Sequence, residues 1–248
     1  MEKTRKTALI TGASGGIGRA TARLLVRSGI DLILHGNANR VSLESLIAEL
    51  KSCHPAAQVT PVYADLSLEA EQERLINTVA SQCPVLDILV LAAGCDLMNA
   101  AMKQLSFDKR FTKLWQVDVV SAMRLSRFFG ERMKPGGAIV FFGWDGVEYG
   151  MAGETAQLYA AAKGAVQGFS RSLAKTLAPE VRVNCVAPGW IKTTWAETAS
   201  PATDKQVAAG SLARRWGTAE EVAEVVRFLV SEEASYINNQ TIDVNGGR

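Results

Sequence analysis

Histidine is scarce in this 248-residue chain, which has only His35 and His54. Hydrolase chemistry built on a serine–histidine pair, and metal sites rich in imidazole, find too little material here. The four cysteines, Cys53, Cys83, Cys95 and Cys185, lie far apart and form no Cys-x-x-Cys pair. That spacing leaves no metal or redox motif and fits reduced thiols. Neither sign of charge is in excess: 27 lysines and arginines face 25 acids, and the basic residues are scattered. A nucleic-acid partner, which needs a clustered basic face, is therefore not expected. No apolar stretch approaches the ~20 residues that cross a bilayer. The apolar run after the charged MEKTRK is also too short for a signal peptide. These absences predict a cytoplasmic protein with no membrane, nucleic-acid or metal partner.

Apolar residues are plentiful, at 48% of the chain, enough for a sizeable core. Runs with strand character fall at 7–11, 31–35, 58–63, 86–92, 138–142, 181–187 and 240–244. Several are apolar almost throughout, as strands covered on both faces must be. Between them apolar residues recur at helical spacing, as in Ile17, Ala20, Leu24 and Leu25, or Val222, Val225, Val226 and Leu229. Strand alternating with helix predicts an α/β fold, a parallel sheet doubly wound by helices. Pro61 cannot donate to a ladder, so the third strand belongs at a sheet edge. No linker or repeat interrupts the pattern, and residues 1–248 read as a single dinucleotide-binding catalytic domain. Within it, 190–216 carries small, polar and proline residues between Trp190 and Trp216. That is the composition of a mobile substrate lid rather than a fixed helix.

The first strand runs into TGASGGIG at 11–18, which opens the first helix. Gly12 permits a sharp turn, and Gly16 and Gly18 let backbone approach a pyrophosphate and helix pack on strand. A helix N-terminus there offers free amides and a positive dipole end to phosphates. The TGxxxGxG spacing resembles the short-chain dehydrogenase/reductase family, and the likeness covers almost the whole chain. Asp65-Leu66 is similar to the family's adenine-contacting pair, and Ala92-Ala93-Gly94 to its NAG stretch, with Ala92 in place of the asparagine. NCVAPG at 184–189 resembles the segment over the nicotinamide, and Ile191 and Thr193 its carboxamide contacts. RWGTAEEVAEVVRFL and NNQTIDVNGG resemble the closing helix and last strand. The resemblance implies a single Rossmann domain with a seven-stranded sheet, assembled as a homotetramer or homodimer. It also implies a cofactor site of Gly12, Ser14, Gly16, Ile17, Gly18, Asn37, Arg40, Asp65, Leu66, Ala93, Gly94, Tyr159, Lys163, Pro188, Gly189, Ile191 and Thr193.

An acid at the end of the second strand would bond the ribose hydroxyls of NAD and repel a 2′-phosphate. Here the position is Gly36, followed by Asn37 and, further on, Arg40, which could pair with a phosphate. NADP(H) is therefore expected over NAD(H).

Tyr159 and Lys163 stand four residues apart in LYAAAKGAVQG, on one face of a helix. An ammonium beside a phenol should lower the phenol's pKa. A tyrosine so tuned can pass a proton to a carbonyl as hydride arrives, or take one in reverse. By resemblance these are the family's proton donor and its ribose-holding lysine. Two departures stand beside them. The family ends its fifth strand with a serine that orients the substrate carbonyl. In GWDGVEY at 143–149 that position falls on Trp144, or on Gly146 if no gap is allowed, and neither has a hydroxyl. Asp118, in WQVDVVSA, replaces the family's helix asparagine, whose main task is to kink the helix. Asp145, before a glycine, reads as turn chemistry. The catalytic set is thus Tyr159, Lys163, Asp118 and Trp144. The expected substrate is a small-molecule carbonyl or acyl thioester, as in 3-oxoacyl-[acyl-carrier-protein] reductases. The rival is a dinucleotide-binding subunit that has lost efficient chemistry. The intact Tyr159/Lys163 pair speaks against it.

Overall fold

The computed structural model describes residues 5–193 and 201–247. In its first half, β1 (Thr7–Thr11), β2 (Asp31–Gly36), β3 (Val59–Tyr63) and β4 (Ile88–Leu91) alternate with α1 (Gly16–Arg27), α2 (Arg40–Cys53) and α3 (Glu69–Gln82). Next come α4 (Ala100–Lys103), α5 (Phe107–Leu114), a π-helical turn (Trp115–Val120), α6 (Ser121–Gly130), β5 (Gly137–Phe142), α7 (Gly146–Tyr149), α8 (Glu154–Leu177) and β6 (Val181–Pro188). The last elements are β7 (Ile191–Lys192), α9 (Pro201–Ala209), β8 (Gly217–Thr218), α10 (Ala219–Leu229), a 3₁₀ turn (Glu232–Ala234) and β9 (Thr241–Val244).

Seven strands form one parallel sheet in the order β3-β2-β1-β4-β5-β6-β9. The all-apolar strands earn their central places: every residue of β4 and β5 is buried, because helices cover both faces. One face packs against α3, α6 and α8 through Leu125, Phe129, Ile139, Phe141, Val166 and Leu173. The other packs against α1, α2 and α10 through Leu25, Leu34, Leu43, Val140 and Val226. Each such side chain contributes roughly 1.5–3 kcal/mol by leaving water. β3 is the outermost strand, so Pro61, opposite Leu34, lies at a sheet edge as its missing N–H requires.

Two features depart from expectation. The pair β7·β8 has only two residues per strand, too short for any alternation to show. The lid segment also contains a regular helix, α9, where composition suggested none. Proline is tolerated in a first helical turn, and Ala202, Ala208 and Ala209 favour helix. Residues 194–200 of that segment lie outside the described residues. No helix among the described residues is long and apolar enough to cross a membrane.

The strand order reverses between β1 and β4, and there the two exits touch. Gly12 adopts φ +66°, and a Cβ on it would stand 2.7 Å from both the Ala92 carbonyl oxygen and the Ala93 Cα. A Cβ on Gly18 would meet the Gly12 carbonyl oxygen at 2.4 Å. Backbone cannot move aside as a flexible side chain can. Gly12→Ala is expected to cost about 2 kcal/mol or more, from left-handed strain plus overpacking. That corresponds to a melting temperature lower by roughly 4–8 °C for a chain of this size. An unchanged melting temperature in thermal denaturation would contradict this close approach.

Candidate active site

The strand exits at the carboxyl edge enclose a cleft of about 320 Å³, lined among others by Gly12, Ser14, Gly15, Asn37, Asp65, Leu66, Ala93 and Gly94. α1 begins at its floor. No side chain caps this helix; Gly15 donates to the Gly12 carbonyl at 3.0 Å, and Arg19 donates to the Gly15 carbonyl at 2.8 Å. The amides of Gly16, Ile17 and Gly18 are thus the ones a helix start leaves for an anion. The Ile17 side chain does not line the cleft; it packs beside Ala20, Ala219 and Ala223.

Buried His35 fastens the cleft's wall. Its Nδ1 accepts the Gly12 N–H at 3.2 Å, and its Nε2 donates to the Ala64 carbonyl at 3.0 Å. One neutral imidazole therefore ties the exits of β1, β2 and β3. Burial lowers its pKa, against the opposing pull of the Ala64 bond and of Asp65. Nothing in residue spacing marks His35; the signal was a polar residue closing the apolar run LIL at 32–34. Asp65 accepts from the Ser67 amide at 2.9 Å and hydroxyl at 2.7 Å, which fixes the turn after β3. Arg40 lies with its guanidinium 4.6 Å from the centre of the Tyr63 ring, and Asn39 caps α2 through the Ser42 amide.

At the other end of the edge, α8 carries Tyr159 and Lys163. Buried Arg110 anchors the start of this helix, donating to Glu154 at 2.5 Å and to the Thr155 hydroxyl at 2.6 Å. The Lys163 ammonium lies 5.4 Å from the Tyr159 ring centre and donates to the Phe142 carbonyl at 3.2 Å. It also pairs with Asp118 Oδ2 at 2.8 Å, both side chains being almost wholly buried. Asp118 Oδ1 accepts the Cys95 N–H at 2.7 Å. The π-helical turn that holds Asp118 supplies the expected kink. The aspartate is nevertheless no neutral stand-in for asparagine, because its carboxylate engages the lysine.

The expectation of a lowered tyrosine pKa does not hold. Burial raises the Tyr159 pKa; Lys163 pulls it down, but Asp118 pushes it up again. Burial works to lower the Lys163 pKa and is outweighed, chiefly by Asp118 and then by Tyr159, so that it rises. Burial, with Asp118 adding to it, holds the Cys95 thiol up at about 11. Burial holds the Cys185 thiol up at about 12. Neither is a ready nucleophile near neutral pH.

Trp144 meets Tyr159 edge to face, with ring centres 5.6 Å apart and planes at 71°. Its indole covers Gly146, where a Cβ would lie 2.4 Å from Trp144 Cζ2. Of the two sequence alternatives, Trp144 is the one that faces the tyrosine. Asp145 is buried and accepts from Asn245 Nδ2 at 3.2 Å. It tethers the β5 exit to the segment after β9, a role beyond a local turn. Gly189 donates to the Val244 carbonyl at 3.1 Å. Ile191 is buried in β7, and the Thr193 methyl would stand 2.9 Å from a Cβ on Gly16, so Pro188 to Thr193 closes back over the glycine turn.

A glycine turn at the switch point of a parallel sheet, with a tyrosine–lysine helix across the same edge, defines the class of Rossmann-type oxidoreductases. Within it, the chain belongs to the short-chain dehydrogenase/reductase family. Residues 12–248 match a family model described as enoyl-(acyl carrier protein) reductase. The chain is 35% identical over 245 residues to the 3-oxoacyl-[acyl-carrier-protein] reductase FabG of Salmonella typhimurium, covering 98% of this chain and 96% of that protein. It is 34% identical over 252 residues to the uncharacterized oxidoreductase YmfI of Bacillus subtilis, covering 98% of each. A short chain dehydrogenase from Burkholderia cenocepacia, solved in complex with NADP, superposes with a TM-score of 0.86 at 28% identity, covering 98% of this chain and 97% of that one. The names differ in reaction, enoyl against 3-oxoacyl, so membership alone does not select a substrate.

The buried imidazole has a measurable consequence. Its folded-state pKa lies below the ordinary 6.5, so the unfolded chain takes up a proton first as pH falls. Stability is expected to be fully present above that value and to decline as pH drops below it. His35→Gln offers an acceptor and a donor without titrating and should flatten the decline between pH ~7.5 and ~5.5. Urea unfolding at both pH values measures it; an equal slope in the variant would count against a neutral His35.

Proposed function

We propose that the chain is an NADP(H)-dependent oxidoreductase that reduces a ketone to a secondary alcohol, or runs the reverse. The observation that carries this reading is the convergence of Tyr159, Lys163 and Trp144 on the sheet edge that also carries the uncapped α1 terminus. The residues fit a dinucleotide: free amides and the glycine turn suit the pyrophosphate, while Asp65, Leu66, Ala93 and Gly94 line the cleft beside it. Bound there, the nicotinamide would supply the hydride. Lys163 would hold its ribose, Thr193 and Ile191 would border its far end, and Tyr159 would give its proton to the carbonyl oxygen. Its raised pKa keeps the phenol protonated near neutral pH, as a donor must be. Trp144 brings an indole N–H, a donor but not an acceptor, and so covers half of what a serine offers. The reading extends to one catalytic domain with 190–216 over the substrate, acting in the cytoplasm as a homodimer or homotetramer. The partly buried Phe111, Trp115, Phe128 and Phe169 on α5, the π-helical turn, α6 and α8 support such assembly. A 3-oxoacyl thioester heads the substrate panel, since that is what relatives such as FabG are named for.

Gly36 leaves no carboxylate to repel a 2′-phosphate, and Arg40 rests near the same strand end. NADPH should therefore bind more tightly than NADH, and Arg40→Ala should narrow the difference about tenfold, as loss of a charge-assisted contact does. Isothermal calorimetry decides; tighter NADH binding would exclude the preference.

The chemistry is tested at two positions. Tyr159→Phe should abolish turnover and leave NADPH affinity nearly intact. Trp144→Ser should change turnover of small ketones by roughly 10²-fold, the scale of one oxyanion donor. It rises if the indole merely occupies the serine's place and falls if the N–H orients substrate. Wild-type protein that binds NADPH but leaves β-ketoacyl thioesters, quinones and small ketones untouched, with Trp144→Ser equally inert, would end the reductase reading.

A further inference from the structure

The Asp118–Lys163 pair is almost wholly buried, and resemblance to the family does not foresee it, since the family has asparagine there. Each carboxylate oxygen has its own contact. Oδ1 accepts the Cys95 N–H at 2.7 Å, from the loop that leaves β4, and Oδ2 lies in an ion pair 2.8 Å from the Lys163 ammonium. The lysine has three N–H groups. One of them goes to the Phe142 carbonyl at 3.2 Å, and the ammonium as a whole is ion-paired with Asp118.

The charges around the phenol follow from this placement. Tyr159 is faced by Lys163 from its own helix, by Asp118 from the π-helical turn, and by Cys95 and Asp96 from the β4 exit. Lys163 is faced in addition by Cys185 of β6. Around the phenol, one ammonium is set against the carboxylates of Asp118 and Asp96. The cation that would draw a phenolate is already balanced at 2.8 Å by a carboxylate with no exposure to solvent.

We propose that Asp118 is a positioning residue that neutralises Lys163, so that Tyr159 is a proton donor throughout the neutral range and accepts an alcohol's proton only in alkaline solution. This rests on the reductase reading for its catalytic meaning, but not for its charge balance. An asparagine would keep an acceptor for the Cys95 amide and remove the negative charge. Lys163 would then act on the phenol alone.

The test is an ultraviolet difference titration of tyrosinate, with the Tyr159→Phe protein subtracted to isolate Tyr159. In the wild type this component should ionise above the ordinary ~10 of tyrosine. In Asp118→Asn it should move down by about one pH unit or more, as removal of one nearby charge does. The pH at half-maximal alcohol oxidation should move down with it. A component that stays in place in the folded variant overturns the proposal, and so does a wild-type value below ~9. If the variant does not fold, the wild-type titration decides. If the shift occurs but no substrate turns over, the charge balance stands and the reductase reading fails. If turnover is seen without a shift, the reductase reading stands and the role of Asp118 fails.

Discussion

The contact of backbone on backbone at the sheet's switch point constrains everything else in this protein. β1 and β4 are neighbours whose exits diverge, and the Gly12 turn must fit against Ala92 and Ala93 with no Cβ between them. That fit sets where α1 starts, hence where its free amides point. His35 continues the same join outward, carrying it from the glycine turn across β2 to the end of β3. Parallel strands bring every exit to one edge, so a single local fit positions elements from five stretches of sequence.

The opposite end of that edge is organised by charge rather than by packing. Lysine and aspartate share a volume from which water is nearly excluded, with the partly buried tyrosine beside them, and there one carboxylate more or less changes proton affinity markedly. A buried ion pair of this kind is a costly way to gain stability, because both partners must be desolvated. Its retention beside the tyrosine fits a functional setting of charge better than a structural one. Arg110 plays the complementary part, holding the first turn of α8 through Glu154 and Thr155 and so fixing the height of the tyrosine.

The sheet was legible in the chain, because apolar runs of five or six residues alternating with helical periodicity have few other solutions. All seven strands fall where their β-branched and apolar residues concentrate, and Pro61 even marked the edge. The glycine turn and the tyrosine–lysine spacing were equally visible, since both are local patterns. What sequence did not disclose depends on distance across the fold. The partner of Lys163 is 45 positions away in another helix. With burial of the phenol and that partner unseen, the net shift of the tyrosine took the wrong sign, although the lysine itself pulls the pKa down as expected. His35 and the Asp145–Asn245 tether were hidden for the same reason, as hydrogen bonds between strand exits leave no periodicity. The composition of α9 hides it: proline and threonine suggest irregular chain, while its alanines favour helix.

The indole of Trp144 resting on Gly146 also bears on how such a site can change over generations. While the indole holds this place, a side chain at position 146 has to displace it, because even a methyl group would overlap the ring. Once the tryptophan is lost, any residue accepted at 146 would bar its return. The two positions thus act as a ratchet, and the order of substitutions decides which pocket floors a lineage can reach. A descendant that acquired a hydroxyl at 144 would first inherit an indole-sized hollow beside the tyrosine. Bulkier ketones could enter that hollow before any second mutation closed it.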